Sequence, residues 1–266
     1  MLIKTTATGI FVYGALLTYL AAFLALLGQR EKIGRVSYGL GCGFAALAFG
    51  FRWYETGHVP LQSMFEVFLC LGVLSFPLSE FCRKYLRIGG QAGDALVGFA
   101  VLFPAGFVFS GEPRQLPPAL QSPFFIPHVL AYMLAYVVLF KAAVQAAGHF
   151  FTRTSGEEVR HVGRETAAYR AVQLGLPLLT LGLVLGACWG KMAWGDYWNW
   201  DPKELWSLAT WLVYVGYVHF RSLHGRKYPG VNCALVLTGT ALVLITLLWV
   251  NLASRLFGGL HTYAAP

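Results

Sequence analysis

From Trp189 to Trp211 the chain reads Trp189-Gly-Lys-Met-Ala-Trp194-Gly-Asp-Tyr197-Trp198-Asn-Trp200-Asp201-Pro-Lys-Glu204-Leu-Trp206-Ser-Leu-Ala-Thr-Trp211, and six of the eight tryptophans fall inside it. Indole rings present flat apolar faces and N–H donors. Beside the ammonium of Lys191 they suit a flat apolar ligand with a polar edge. Gly190 and Gly195 let the backbone turn tightly between them. Tryptophans also anchor helix ends at membrane surfaces, but such belts spread over several helices, whereas this cluster occupies one connection.

Part of the stretch has a structural reading. Asp201-Pro202-Lys203-Glu204 has the pattern of a helix N-cap, a proline at the first helical position and a glutamate at N3, which is a capping box. Trp200 and Leu205 then occupy the N′ and N4 positions of a hydrophobic staple. Capping accounts for Asp201 and Glu204. It leaves Trp194, Tyr197 and Trp198 as the ligand-facing surface.

Ligating chemistry comes from the seven histidines. His128 follows Pro127, with Tyr132 and Tyr136 one and two helical turns along on the same face. His261 follows Gly258-Gly259. His219 lies in an apolar segment, with Gly216 a turn away leaving room for something flat. His149 is the one histidine at comparable depth in another segment. His58, in Glu55-Thr-Gly57-His58-Val-Pro60, and Glu66 read as structural. H-E-x-x-H, clustered Cys/His sets, Gly-rich phosphate loops and nucleophile elbows are absent from the sequence.

The elements that position these residues follow from composition. The 266 residues are 57% hydrophobic and 12% charged, about half the charge of a soluble domain. A spanning helix needs roughly 20 mostly apolar residues. On that basis eight transmembrane helices are expected at about 8–28, 37–54, 64–82, 94–110, 128–150, 171–190, 205–223 and 232–255. They form one all-α polytopic domain over 1–266, with the tryptophan connection at about 189–206. The five cysteines show no C-x-x-C spacing, so neither a thiol-redox motif nor a covalent haem site is expected.

The net charge of +8 is spread through short connections and reads as the positive-inside rule rather than as nucleic-acid affinity. Arg30, Lys32 and Arg35, then Arg83, Lys84 and Arg87, then Arg153, Arg160 and Arg164, then Arg221, Arg226 and Lys227 mark the cytoplasmic connections. The alternate set carries only Lys4, Arg114, Lys191, Lys203 and Arg255, with Arg52 at a span edge. Both termini and the tryptophan connection are therefore expected on the outer side, with His128 and His261. His219 would lie on the order of 22 Å below Glu204 along its helix. Two imidazoles above an aromatic platform form a bis-histidine haem site. An ionisable residue within a span, as His219 is, is a functional candidate by default.

The string Trp194-Gly-Asp-Tyr-Trp198-Asn-Trp200-Asp201-Pro-Lys-Glu204 resembles the WWD signature of haem-handling proteins. With Arg52-Trp-Tyr-Glu-Thr-Gly-His58-Val-Pro and the Gly-Leu-His261-Thr-Tyr ending, nearly the whole chain resembles the CcsA (ResC) branch of cytochrome c biogenesis system II. That resemblance implies a haem transporter and holocytochrome c synthase subunit working with a CcsB (ResB) membrane partner. Its substrates would be haem b and apocytochrome c carrying C-x-x-C-H. It implies axial ligation of haem iron by His128 and His261 at the outer site, with Trp194, Tyr197, Trp198, Trp200 and Asp201 around the haem. His219 matches an inner haem ligand whose partner is either His149 or, as the resemblance favours, a residue of the CcsB chain. The implied location is a bacterial inner membrane or a thylakoid membrane, with the WWD connection facing periplasm, outside or lumen. Two other readings fit parts of the pattern. One is an exporter of the CcmC type, which hands haem on without forming thioether bonds. The other is a b-type electron-transfer subunit, for which only His149 and His219 offer a pair.

Overall fold

The computed structural model of the protein describes residues 5–151 and 163–249. Among the described residues eight α-helices follow one another: α1 (Ala7–Leu27), α2 (Glu31–Thr56), α3 (Met64–Tyr85), α4 (Gln91–Phe107), α5 (Phe125–Phe151), α6 (Arg164–Trp194), α7 (Pro202–His224) and α8 (Pro229–Leu244). A short 3-10 helix, Pro118–Leu120, precedes α5, and α8 runs on into a π-helical turn, Ile245–Trp249. Among the described residues there is no strand. Each expected span falls on one helix, the eighth (232–255) as far as the described residues reach, so the protein is all-helical and polytopic. Helices α1, α3, α5, α6 and α8 are long and apolar enough to cross a membrane, and α4 is a shorter apolar helix. In α2 the charges of Glu31, Lys32, Arg35, Arg52 and Glu55 dilute the apolar composition; in α7 Lys203, Glu204 and Arg221 do the same.

The helix ends follow local chemistry. Thr6 caps α1, its hydroxyl accepting from the Gly9 amide at 3.2 Å. Gly57 ends α2 with φ +70° and Gly195 ends α6 with φ +91°. Both are left-handed positions that suit glycine.

The described residues gather into two compact units. One holds α1, α2, α4 and α3 as far as Ser79. Its core stacks Tyr19, Tyr38 and Phe76 edge to face at 5.3 and 5.2 Å, and the Tyr19 hydroxyl donates to the Gly72 carbonyl at 2.8 Å. Buried Arg52 donates Nε to Glu66 at 2.8 Å and its two terminal nitrogens to the carbonyls of Gly111 and Glu112. His58 lies against the Val59 and Arg114 carbonyls at 3.2 and 3.3 Å. Glu66 and His58 thus brace loops, as the sequence suggested.

The other unit takes Glu80–Gly90 and the described residues between Ser122 and 249, and it carries the tryptophan stretch. Helix α6 is longer at both ends than the expected 171–190. Helical packing continues until Gly195, the first residue there to adopt the left-handed conformation. Trp189 and Trp194 are therefore helical, Trp206 and Trp211 belong to α7, and the connection itself is only 195–201.

Candidate functional site

The site is built where α5 packs on α6. Glycines at four- and seven-residue spacing on α6 receive large side chains of α5. A Cβ on Gly175 would sit 2.8 Å from Leu139, one on Gly182 2.9 Å from the Tyr132 ring, and one on Gly186 2.6 Å from the His128 ring. Small residues at such spacing let two helices approach closely within a membrane. Here they also form the seat of a histidine.

Four neighbours fix His128. Its Nδ1 lies 2.8 Å from the Gly182 carbonyl. Its ring stacks on Trp189 with centroids 5.6 Å apart and planes at 22°. Tyr132 meets it edge-on at 5.1 Å and is itself 5.5 Å from Tyr136. Gly186 backs the Cε1–Nδ1 edge of the ring. A carbonyl can only accept, so Nδ1 carries the proton and the ring lone pair lies on Nε2. Ligating histidines are held in the same way, by a hydrogen-bond acceptor on the nitrogen that does not bind the metal.

The aromatic array continues from that ring. Buried Trp189 packs on Phe125 at 5.8 Å and on Trp194 at 4.7 Å. Beyond Gly195, Trp198 and Trp200 meet edge-on at 6.1 Å. Tyr197 and Trp200 are exposed, and Tyr197 lies under the Lys191 ammonium, 5.5 Å from its ring centroid. Lys191 also donates to the Gly195 carbonyl at 2.5 Å, closing the end of α6. Trp200 has φ +56°, a left-handed conformation that costs a non-glycine residue about 1–3 kcal/mol and that clusters at functional sites.

Asp201 and Glu204 form the expected capping box. Asp201 Oδ1 accepts from the Lys203 amide at 2.8 Å, while Glu204 Oε2 accepts from the amides of Asn199 and Asp201 at 2.8 and 3.2 Å. The box fixes the angle at which the connection enters α7. Trp200 and Leu205 are both exposed, so the expected staple buries little surface.

His219 stands apart from this cluster. Its Nδ1 is bonded back to the Val215 carbonyl at 2.9 Å, and the ring is exposed on the face of α7 shared by Leu212, Gly216 and Leu223. A Cβ on Gly216 would meet nothing within 4 Å. His149 is half-buried and lies edge-on to Phe150 at 5.5 Å. His261 falls outside the described residues. Among the described residues no three His, Cys, Asp or Glu side chains come together as a metal site.

Sequence reasoning did not single out Trp189 as the neighbour of His128. The signal was present as the row Gly182, Gly186 and Gly190 at four-residue spacing, which marks the face of α6 that a large group approaches. Trp189 sits beside that row.

Three comparisons bear on this architecture. A family model described as "Cytochrome C assembly protein" matches residues 59–257. Among individual proteins, "Cytochrome c biogenesis protein CcsA" of Guillardia theta is 30% identical, with 93% of this chain and 92% of the relative aligned. The protein of that name from Synechococcus elongatus is 30% identical over 82% of this chain and 83% of its own. The one from Chlamydomonas reinhardtii is 31% identical over 87% and 68%. Among solved structures, "Cytochrome c Heme Lyase CcmF" shares the fold, with a TM-score of 0.69 at 18% identity, covering 93% of this chain and 48% of its own. With the family model matching most of its length, the chain belongs to the cytochrome c assembly protein family.

Proposed function

We propose that the protein takes haem b to the outer side of the membrane and presents it there for attachment to apocytochrome c. His128, through Nε2, is one axial ligand of the haem iron and His261 is the other. Trp194, Tyr197, Trp198 and Trp200 pack the porphyrin, while Asp201 holds the connection in shape. The observation that carries this reading is the clamping of His128 between the Gly182 carbonyl and the Trp189 ring. That arrangement fixes tautomer and tilt at the edge of the tryptophan array.

The chain's contribution to thioether formation is positioning. Each substrate thiol adds its S–H across a haem vinyl group, a reaction that belongs to the haem and the cysteine. Holding the vinyl carbons at reacting distance converts an encounter in solution into a local event. The termini face outward with the connection, in line with the distribution of lysine and arginine.

His219 is the haem ligand of an inner site. Its outward-facing ring, with open space beside Gly216, supports a second ligand from a CcsB-like membrane partner rather than from His149. The test is co-expression of this chain with candidate partners and an apocytochrome carrying C-x-x-C-H, in a host lacking its own attachment system. Covalent haem on the cytochrome supports the synthase reading. Haem passed on without covalent attachment contradicts it in favour of an exporter.

A further inference from the structure

Glu165, Arg221 and Asn232 tie α6, α7 and α8 together near His219. Arg221 donates Nε to Glu165 Oε1 at 2.5 Å and Nη2 to Oε2 at 3.2 Å. Asn232 donates Nδ2 to the same Oε1 at 2.8 Å and to the Gly225 carbonyl at 3.2 Å. The guanidinium lies over the Tyr169 ring at 4.9 Å, and Tyr169 meets Tyr217 edge-on at 6.3 Å. Glu165, Asn232 and Tyr217 are all buried.

Such a knot is a weak source of stability. Desolvation offsets much of the attraction in a buried ion pair, and apolar residues of similar volume hold helices together as well or better. The Tyr217 hydroxyl and Asn232 Oδ1 add to that cost, having no hydrogen-bond partner among the described residues. What a two-toothed guanidinium–carboxylate pair supplies is one defined geometry. It therefore sets the roll and height of α7.

His219 is two residues from Tyr217 and two from Arg221, hence about 160° around the helix from each. Tyr214, Tyr217 and Arg221 face the bundle, and His219 points the opposite way. A roll of about 10° carries a side-chain atom at the helix surface, some 5–6 Å from the axis, by about 1 Å. A displacement of that size is enough to cost a well-placed group about 100-fold.

We propose that Glu165, acting through Arg221 and Asn232, is a positioning residue that sets the angle at which His219 meets haem. This rests on the reading of His219 as a haem ligand. The test uses the full-length protein co-purified with haem and a CcsB-like membrane partner, the source assigned to the second inner ligand, as wild type, His219→Ala, Glu165→Gln, Arg221→Lys and Tyr217→Phe. Haem content, optical spectrum and melting midpoint are measured with and without imidazole.

Misplacing the ring by about 1 Å costs its ligation on the order of 100-fold. Glu165→Gln and Arg221→Lys are therefore expected to convert the His219-dependent component from low to high spin, and added imidazole restores it. Arg221→Lys keeps the charge pair and a near-wild-type melting midpoint, whereas Glu165→Gln lowers the midpoint by leaving Arg221 unpaired. Tyr217→Phe leaves the spectrum unchanged. If the Glu165 and Arg221 variants keep the wild-type spectrum while His219→Ala loses the component, the positioning role is overturned and the ligand reading stands. If they lose haem only in step with a falling midpoint, the role is structural and the inference is again overturned. An unchanged spectrum in His219→Ala overturns the ligand reading and the inference together.

Discussion

The His128 imidazole lies nearly parallel to the Trp189 indole, with centroids 5.6 Å apart and planes at 22°. Its Nδ1 is held 2.8 Å from the Gly182 carbonyl. One contact fixes the tilt of the ring and the other its tautomer, so Nε2 is preorganised by two residues of the neighbouring helix. A group held this way loses little freedom on binding.

Because Gly186 supplies the seat, adding one carbon there displaces the ring. Its Cβ would come 2.6 Å from Cε1 and 2.8 Å from Nδ1 of His128. Gly186→Ala is expected to lower haem affinity about 10–100-fold, as loss of second-shell support does. Haem titration of the purified protein reads the change. Wild-type affinity would show that the seat does not govern the site.

Asp201 is assigned to capping, and Asn can also cap. Asp201→Ala should destabilise the start of α7 by about 1 kcal/mol, whereas Asp201→Asn should cost only a small part of that. Thermal unfolding in detergent separates the two. Full haem binding by Asp201→Asn is expected, and its loss would instead give the carboxylate charge a direct role.

Gly216 offers a probe of the second histidine that leaves the packing alone. A Cβ there meets no heavy atom within 4 Å, and leucine in place of glycine raises helix propensity by up to about 1 kcal/mol. Gly216→Leu should therefore fold at least as well as wild type yet block a flat ligand at His219. Haem content and spectrum should match those of His219→Ala. A wild-type spectrum would place the haem away from this face.

In the other unit, Arg52 and Glu66 form a buried pair, 1% and 2% exposed. Removing one partner of such a pair typically costs about 3–5 kcal/mol. Glu66→Ala is expected to fall in that range, measured by chemical or thermal unfolding. A change below about 1 kcal/mol, the scale of an exposed pair, would show that Arg52 finds another partner.

The helices were legible because a membrane span is written in one dimension, as a long apolar run, and the capping box because it is a local four-residue pattern. Asp201 and Glu204 were thus placed from their neighbours alone. His128 was legible as a candidate, since it starts a span at the tryptophan end of the chain. Its pairing with Trp189 was not, because the two are brought together by the roll of α5 against the α6 glycine row, a three-dimensional fact. The connection was expected over 189–206 and spans 195–201. Tryptophan and lysine are compatible with helix, so composition could not show that α6 continues to Gly195. The Glu165–Arg221 pair, 56 residues apart in sequence, left no local signature at all.

The central claim is that His128 binds haem iron. Its most direct measurement is the optical and electron paramagnetic resonance spectrum of haem co-purified with full-length His128→Ala, alone and after addition of imidazole. The account predicts loss of a low-spin bis-imidazole signal, by loss of haem or conversion to high spin, and its return when imidazole fills the vacated seat. A wild-type spectrum and haem content without imidazole would contradict it.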